Sequence, residues 1–259
     1  MLISPSSRAD ADGSLPAATE PRARGPIEVP DDALRYILFQ RTEYLALPRR
    51  RLLYRAFCRI SRRPPLDAAV ALESAWRGGA VRRAFNRDMA REYAEIAPHL
   101  PPRAVAILDI GCGVGGIDVL LHRHYGTPRL YLVDRTQTSD KVYYGFAERG
   151  AFYNSFDATR RLLTGNRVPE ADLRFREVGE ECRLDIPEAV DLVVSLISWG
   201  FHYPVALYLD QVFALLRPGG RVILDVRKET DGRAQLEARF ARVTTISKTR
   251  KKERVVAER

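Results

Sequence analysis

The chain has 259 residues, 46% of them hydrophobic, and a formal net charge of +9, which is typical of one globular domain with additional segments. No run of about 18 apolar residues occurs, so we expect no membrane-spanning helix, and the first residues lack the basic and apolar pattern of a secretory signal. Three cysteines without metal-ligand spacing favour a reduced, cytoplasmic location and no bound metal.

The first hundred residues divide into a leader and a helical region. Residues 1–30 are rich in Ser, Ala, Pro and charge, which predicts a disordered leader. Residues 31–102 have helical periodicity and predict an N-terminal cap. We expect a first helix over 33–45, with Asp31 or Asp32 as its N-cap, and a second over 49–61. A third over 68–76 should stop at Gly78-Gly79, before a fourth over 81–100.

After Pro102 the pattern changes to short apolar runs that alternate with helix-length segments. "AVAILDI", "RLYLVD", "DLRFREV", "VDLVVSL" and "GRVILDV" are rich in Val, Ile and Leu. Such runs predict an α/β fold with a parallel sheet that is covered on both faces. The last segments, "ARVTTIS" and "RVVAE", flank a polar turn and predict an antiparallel hairpin at one edge.

The stretch "ILDIGCGVGGIDVLL" predicts a strand, a glycine loop and the start of a helix. Such a loop lets the backbone approach a ligand, and the helix start offers free N–H groups. Asp134 ends the next predicted strand, where a carboxylate can accept from two ribose hydroxyls. NAD enzymes and other nucleoside-binding proteins share this arrangement, so these residues alone leave the ligand open.

Three features disfavour a dinucleotide. Asp109 would repel a nearby pyrophosphate and suits a ligand that carries an ammonium or sulfonium group. Pro218-Gly219-Gly220 turns a predicted helix sharply into the fifth strand. Only about thirty residues follow that strand, too few for the separate catalytic domain of a typical dehydrogenase.

From about Ala104 onward the chain resembles the class I S-adenosylmethionine-dependent methyltransferases. "LDIGCGVGG", "YLVD", "VDLVVSLISW" and "LLRPGG" carry the resemblance, in the family's order. It implies a Rossmann-like doubly wound seven-stranded sheet with an antiparallel C-terminal hairpin strand, preceded by the α-helical cap. The cofactor-binding core would span residues 103–259, with an insert at 135–170 between the second and third strands.

The resemblance also implies S-adenosylmethionine as the cofactor and assigns residues to it. The glycine loop would run under the methionine part, whose amino group Asp109 would hold, while Asp134 would bind the ribose. Glu180, or the alternative Glu181, would lie near the adenine amine, unless it is a solvated loop charge. The assigned cofactor-binding residues are Asp109, Gly111, Gly113, Gly115, Asp134, Arg135, Glu180, Ser195 and Leu196.

The acceptor side would follow the fourth strand and include the long insert. His202 is a candidate general base because imidazole titrates near neutral pH, with the alternative of a packing role. Tyr203 is the second catalytic candidate or a pocket wall. The remaining substrate-pocket candidates are Tyr143, Tyr144, Phe152, Tyr153, Asn154 and Trp199, and the alternative is that the insert's rings pack onto the core.

We expect O-methylation of a small-molecule acceptor. Residues 35–91 hold fourteen arginines against four acidic residues, which suits a phosphorylated or nucleotide-linked sugar, RNA phosphates or an anionic membrane surface. The alternative is that these arginines form an ordinary solvated surface, because the whole chain uses Arg in preference to Lys, with 37 Arg and 5 Lys. "SLISW" differs from the family's N-P-P-Y-type motif, which disfavours nucleic-acid bases.

The residues do not exclude three other functions, and they do not predict the oligomeric state. The chain could use the cofactor for transfer of a group other than methyl or for cyclisation. It could be a non-catalytic module that binds S-adenosylmethionine. It could also be an NAD-linked oxidoreductase.

Overall fold

The computed structural model describes residues 25–47, 65–136 and 154–259. The helices are α1 (Ala33–Gln40), α2 (Pro65–Ile96), α3 (Gly116–Tyr125), α4 (Phe156–Gly165), α5 (Leu209–Leu215) and α6 (Gly232–Arg239). The strands are β1 (Ala106–Ile110), β2 (Arg129–Asp134), β3 (Leu173–Glu177), β4 (Val190–Ser195), β5 (Leu216–Arg227), β6 (Arg242–Lys248) and β7 (Lys252–Glu258). Within those ranges, no helix has the length and apolar character needed to cross a bilayer.

Seven strands form one sheet in the order β3-β2-β1-β4-β5-β7-β6. Strand β1 lies parallel to β2, with Ala106 opposite Arg129, and parallel to β4, with Leu108 opposite Val193. The strand order reverses between β1 and β4, and open α/β sheets bind ligands outside the carboxyl ends of strands at such a point. The predicted Rossmann-like seven-stranded α/β fold is confirmed.

The last two strands form the predicted antiparallel hairpin, which is also confirmed. Strand β7 inserts between β5 and β6, with Val255 opposite Leu224 of β5 and opposite Thr245 of β6. Strand β5 begins at Leu216, four residues before the predicted run, because the chain is already extended where α5 ends.

Both faces of the sheet are covered by helices, which explains the continuous apolar runs in the parallel strands. Alternate side chains point to opposite faces. Ile107, Leu132 and Val194 belong to the core beneath α1, α2, α3 and α4. Leu108 and Val193 belong to the core beneath α5 and α6.

The range of α2 contains two helical segments joined at a kink, in agreement with the two helices predicted on either side of Gly78-Gly79. The bend lies at Arg77, whose φ of −120° and ψ of 17° are not helical. The kink thus lies one residue before the predicted stop, and the two glycines begin the second segment. Gly78 also makes room for α1, because a Cβ there would lie 3.0 Å from Leu34 Cδ1.

Helix α1 ends at Gln40, five residues before its predicted end. Arg41 leaves the helix with a φ of −128° and a ψ of 68°, and its guanidinium donates to Glu92 of α2 at 3.1 Å. Neither predicted N-cap makes a capping hydrogen bond. Asp31 instead pairs with an arginine of α2, and Asp32 with an arginine of α4.

The end of the predicted leader packs on the core. Ile27 and Val29 are 4% and 7% exposed. The Ile27 carbonyl accepts from Asn86 Nδ2 at 3.0 Å, which fixes the segment to α2. The prediction of disorder is therefore wrong for residues 25–30, since their apolar side chains have a groove to fill. Residues 1–24 and the predicted helix over 49–61 lie outside the described residues.

The two tryptophans occupy opposite environments. Trp76, beside the bend of α2, is 83% exposed. Trp199, after β4, is fully buried, and its indole N–H donates to the Val205 carbonyl at 2.9 Å. Trp199 belongs to the core beneath α5 and α6, which contradicts the expectation of a pocket wall because its ring faces that core.

Candidate functional site

A loop of glycines joins β1 to α3 at the carboxyl end of the sheet. Gly111 has a φ of +81°, in the left-handed region where a side chain is strained. A Cβ there would lie 2.0 Å from Ser198 Oγ, so the loop touches the segment that follows β4. The Gly111 N–H donates to the Val133 carbonyl at 2.7 Å. These contacts hold the loop between the ends of β2 and β4.

The N-terminal helices pack directly on this loop. A Cβ at Gly113 would lie 2.7 Å from Gln40 Oε1, at the end of α1. A Cβ at Gly116 would lie 2.4 Å from Phe85 Cζ and 2.7 Å from Met89 Sδ, both on α2. A larger residue at Gly113 would displace the Gln40 side chain, and one at Gly116 would displace the side chains of Phe85 and Met89.

A cavity of about 400 Å³ lies between the loop and these helices. This volume is in the range of small-molecule sites. The ends of β1 and β2, the segment after β4, and residues of α1 and α2 line it. The predicted site residues that line it are Asp109, Gly111, Gly113, Asp134, Arg135, Asn154, Leu196, His202 and Tyr203.

The structure places the other described candidates outside the cavity lining. Gly115 is the N-cap of α3, and Glu180 is an exposed residue after β3. Ser195 is fully buried, and its hydroxyl donates to the Ile110 carbonyl at 2.7 Å and accepts from the Trp199 N–H at 2.9 Å. Ser195 thus ties β4 to β1, because a hydroxyl at a buried strand end needs backbone partners.

Two carboxyl groups are buried together beneath the loop. Asp109 of β1 is 3% exposed, and Asp118 of α3 is fully buried. Neither Asp118 oxygen has a hydrogen-bond donor among the described residues. Burial raises the pKa of Asp118 to about 7, and burial together with Asp118 raises the pKa of Asp109 well above its ordinary value. The two groups can hydrogen-bond only through a shared proton, so the pair holds one near neutral pH.

Asp134, at the end of β2, supplies a third carboxyl group. Its Oδ2 accepts from Gly113 N at 2.8 Å and Asn154 Nδ2 at 3.0 Å, and its Oδ1 accepts from Arg135 N at 2.7 Å. Burial raises the pKa of Asp134 to about 6, against the opposing effect of these three donors. A carboxylate has about four lone-pair positions, so the described donors leave about one, at Oδ1, for a ligand hydroxyl.

Asn154 orients Asp134 and is itself held by its neighbours. It is 2% exposed, and its Oδ1 accepts from Ser155 N at 2.8 Å and Thr159 Oγ1 at 3.2 Å. Thr159 Oγ1 also lies 2.8 Å from the Gly113 carbonyl oxygen. The predicted polar contact for the acceptor is therefore occupied in bracing the glycine loop and the Asp134 carboxylate.

His202 and Tyr203, which follow β4, also line the cavity. Burial, and then the charge of Arg227, lower the pKa of His202 below its ordinary value, so its ring is neutral at pH 7. Burial raises the pKa of Tyr203 to about 12, so its phenol keeps its proton. A neutral imidazole can accept a proton, and a phenol can donate a hydrogen bond.

Four of the predicted pocket aromatics, Tyr143, Tyr144, Phe152 and Tyr153, lie outside the described residues, so their role stays a prediction. The structure adds residues that the sequence analysis missed. Phe85, Met89 and Glu92 line the cavity from one face of α2. Their spacing of four and three residues was a signal that they share a helix face. The sequence analysis also missed Asp118, which could have been found as an acidic residue within the apolar sequence of α3.

No protein-family model matches the sequence, and no curated protein matches it. Solved structures similar to it include a precorrin-6y C5,15-methyltransferase from Geobacter metallireducens, with 14% identity and a TM-score of 0.48, covering 66% of this chain and 87% of that one. A 16S rRNA N2 G1207 methyltransferase from T. thermophilus, in complex with AdoMet and guanosine, has 18% identity and a TM-score of 0.47, over 64% and 41%.

A third similar structure is magnesium protoporphyrin IX methyltransferase from Synechocystis PCC 6803 with bound SAH. It has 16% identity and a TM-score of 0.46, over 69% of this chain and 84% of that one. The strand order and the glycine loop after β1 give this chain the fold of the class I S-adenosylmethionine-dependent methyltransferases, and the predicted resemblance is confirmed at the level of the fold.

Proposed function

We propose that the chain is a methyltransferase that uses S-adenosylmethionine. The observation that carries the proposal is the carboxyl cluster of Asp109, Asp118 and Asp134 at the glycine loop. Negative charge buried at a loop of this kind opposes a pyrophosphate and favours a cationic ligand. The cofactor has both an ammonium and a sulfonium group, whereas a nicotinamide dinucleotide would bring its pyrophosphate against these carboxyls.

The described residues fit the parts of this cofactor. Asp134 Oδ1 would accept from a ribose hydroxyl, and Arg135, which also lines the cavity, would flank the adenine. Asp109 would face the methionine ammonium group. When bound, the cofactor supplies an electrophilic methyl group on a positively charged sulfur. The chain's own contribution is then to exclude water, align the acceptor and take up its proton.

The acceptor that this site supports best is a hydroxyl group of a small molecule. His202 lines the cavity in its neutral form and would take the hydroxyl proton, while Tyr203 would hydrogen-bond the acceptor. An anionic acceptor, such as a phosphorylated or nucleotide-linked sugar, would be attracted by the basic N-terminal region. Three points stay predictions. They are the residue bounds of the cap and of the core, an oxygen as the atom that is methylated, and a cytoplasmic location.

Replacing Asp134 tests the cofactor assignment. We expect Asp134→Ala to weaken binding of S-adenosylhomocysteine roughly 10- to 100-fold, because hydrogen bonds to a charged group contribute about 1.5–3 kcal/mol. Isothermal titration calorimetry measures the change. Glu177→Ala is the matched control, since Glu177 ends β3 directly opposite Asp134 but is exposed. Equal affinity in both variants would remove Asp134 from the cofactor site.

The group transferred is tested by product analysis. The protein is incubated with methyl-labelled S-adenosylmethionine and a panel of hydroxylated acceptors. Label in the acceptor together with S-adenosylhomocysteine supports methyl transfer. Methylthioadenosine as the product would contradict it. Binding of NADH in place of S-adenosylhomocysteine would contradict the cofactor as well.

The carboxyl pair predicts a pH dependence of cofactor binding. Burial raises the pKa of Asp118 to about 7 in the folded protein. The protonated pair therefore stabilises the ligand-free protein fully below the pKa of an aspartate in the unfolded chain, and this stabilisation is lost as pH rises through 7. A bound ammonium group favours the ionised pair, so affinity should increase with pH as the pair loses its proton. Glu92, Asp134 and the neutral Cys112 thiol also face Asp109.

We therefore expect the increase in melting temperature caused by a fixed concentration of S-adenosylhomocysteine to grow between pH 5.5 and 8. Thermal unfolding across this range measures it. In Asp118→Asn the growth should be smaller, because the neighbouring Asp109 then has no carboxyl partner. A flat profile in the wild type would show that the pair does not titrate on binding.

A further inference from the structure

Glu92 of α2 is a buried carboxylate that lines the cavity, and among the described residues only one of its two oxygens has a hydrogen-bond donor. It is 6% exposed. Its Oε1 accepts from Arg41 at 3.1 Å. Its Oε2 is buried without a hydrogen-bond partner among the described residues. A buried carboxylate oxygen in this state calls for a donor that the described residues do not supply.

Arg254, the other described cation within 4 Å of Glu92, does not fill this role. Arg254 Nη2 lies 3.8 Å from Glu92 Oε2, which is too long for a hydrogen bond. Its guanidinium is already engaged, because Nε and Nη2 donate to Asp225 at 2.8 and 3.0 Å, and Nη1 donates to Glu95 at 2.6 Å. Arg254 is thus oriented toward these two carboxylates.

Glu92 and Asp109 line the same cavity. Glu92 follows Phe85 and Met89 along one face of α2, and both of those side chains pack on Gly116, where the glycine loop enters α3. The charge of Glu92 is close enough to contribute to the raised pKa of Asp109. Two carboxyl groups from different elements, one on β1 and one on α2, therefore face one small volume.

We propose that Glu92 is a cofactor-binding residue whose Oε2 accepts a hydrogen bond from the ammonium group of the cofactor's methionine part, opposite Asp109. This inference rests on the proposed function. An ammonium group has three donors and one positive charge, which matches an unpartnered carboxylate oxygen beside a second carboxyl. Glu92 then links α2 to the cofactor, so that the N-terminal helices contribute to cofactor affinity.

A comparison of two ligands tests the proposal. S-adenosylhomocysteine carries the amino-acid part, whereas 5′-methylthioadenosine has the same nucleoside and sulfur without it. We expect Glu92→Gln to weaken S-adenosylhomocysteine roughly 10- to 100-fold and to leave 5′-methylthioadenosine unchanged, because the lost contact is a charge-assisted hydrogen bond. Calorimetric titration of the full chain measures both.

Glu95→Gln is the matched control. Glu95 lies one turn further along α2 and also binds Arg254, but it does not line the cavity. Its variant should bind both ligands like the wild type. Equal affinity for S-adenosylhomocysteine in Glu92→Gln and wild type would overturn the proposal, and so would equal weakening of both ligands, which would indicate displaced helices. No binding of either ligand by the wild type would instead overturn the proposed function.

Discussion

Arg254→Ala should lower the free energy of unfolding by about 3–5 kcal/mol, because it leaves a buried carboxylate without its main partner. Arg254 is 1% exposed and Asp225 is fully buried, on the paired strands β7 and β5. Burial pushes the pKa of Asp225 upward, but hydrogen bonds and charge from Arg254, with the charge of Lys252, outweigh it and hold the pKa below its ordinary value. The Arg254 side chain also ties β7 to α2 through Glu95.

Urea unfolding at pH 7 measures this effect. Arg242→Ala is the control, since Arg242 pairs with Glu258 at 3.6 Å while its side chain is 73% exposed, and we expect a change within about 0.5 kcal/mol. A depressed carboxyl pKa gives stability that is present above the unfolded pKa and lost as pH falls through the folded pKa. The difference between wild type and Arg254→Ala should therefore shrink in acid. A cost below about 1 kcal/mol at pH 7 would contradict the account.

Gly111→Ala should destabilise the protein by about 2–5 kcal/mol and abolish measurable binding of S-adenosylhomocysteine. The left-handed backbone costs an alanine about 1–2 kcal/mol, and the clash with Ser198 adds about 1–3 kcal/mol. A Cβ would lie 2.3 Å from Ser198 Cβ, so rotation of the serine hydroxyl alone does not relieve it. The loop or the segment after β4 must move, and both line the cavity.

Gly126→Ala separates the backbone strain of an alanine at positive φ from the steric clash with Ser198. Gly126 follows α3 with a φ of +95°, and a Cβ there has nothing within 4 Å. This control should show the backbone cost alone and bind S-adenosylhomocysteine normally. Calorimetry and thermal unfolding of both variants give the comparison. Normal ligand binding by Gly111→Ala would mean that the close approach of Ser198 is not needed to shape the site.

The sheet could be predicted from the sequence because its strands are covered on both faces. Continuous Val, Ile and Leu runs then mark each strand, and the alternation with helix-length segments indicates parallel pairing. Helix limits were less predictable. The early end of α1 at Arg41, for example, depends on Glu92, some fifty residues away.

Some residues of the candidate site could likewise be predicted from the sequence, and others could not. Asp109, the glycine loop and Asp134 were predictable because each follows directly from the end of a strand. Glu92 was not, because only the packing of α2 on Gly116 brings it to the cavity. Trp199 was misplaced for a similar reason: a residue just after a strand can turn to either face of the sheet, and its neighbours in sequence do not decide which.

The different surroundings of Trp76 and Trp199 supply two optical reporters in one chain. An indole in water emits at longer wavelengths than one in an apolar core, so the emission of the native protein should contain a red and a blue component. Acrylamide should quench the component from Trp76 first, since that ring is 83% exposed. A shift of the red component reports on the N-terminal helices, and a shift of the blue component reports on the sheet. The native chain can therefore show, without any label, whether the helices move before the core unfolds.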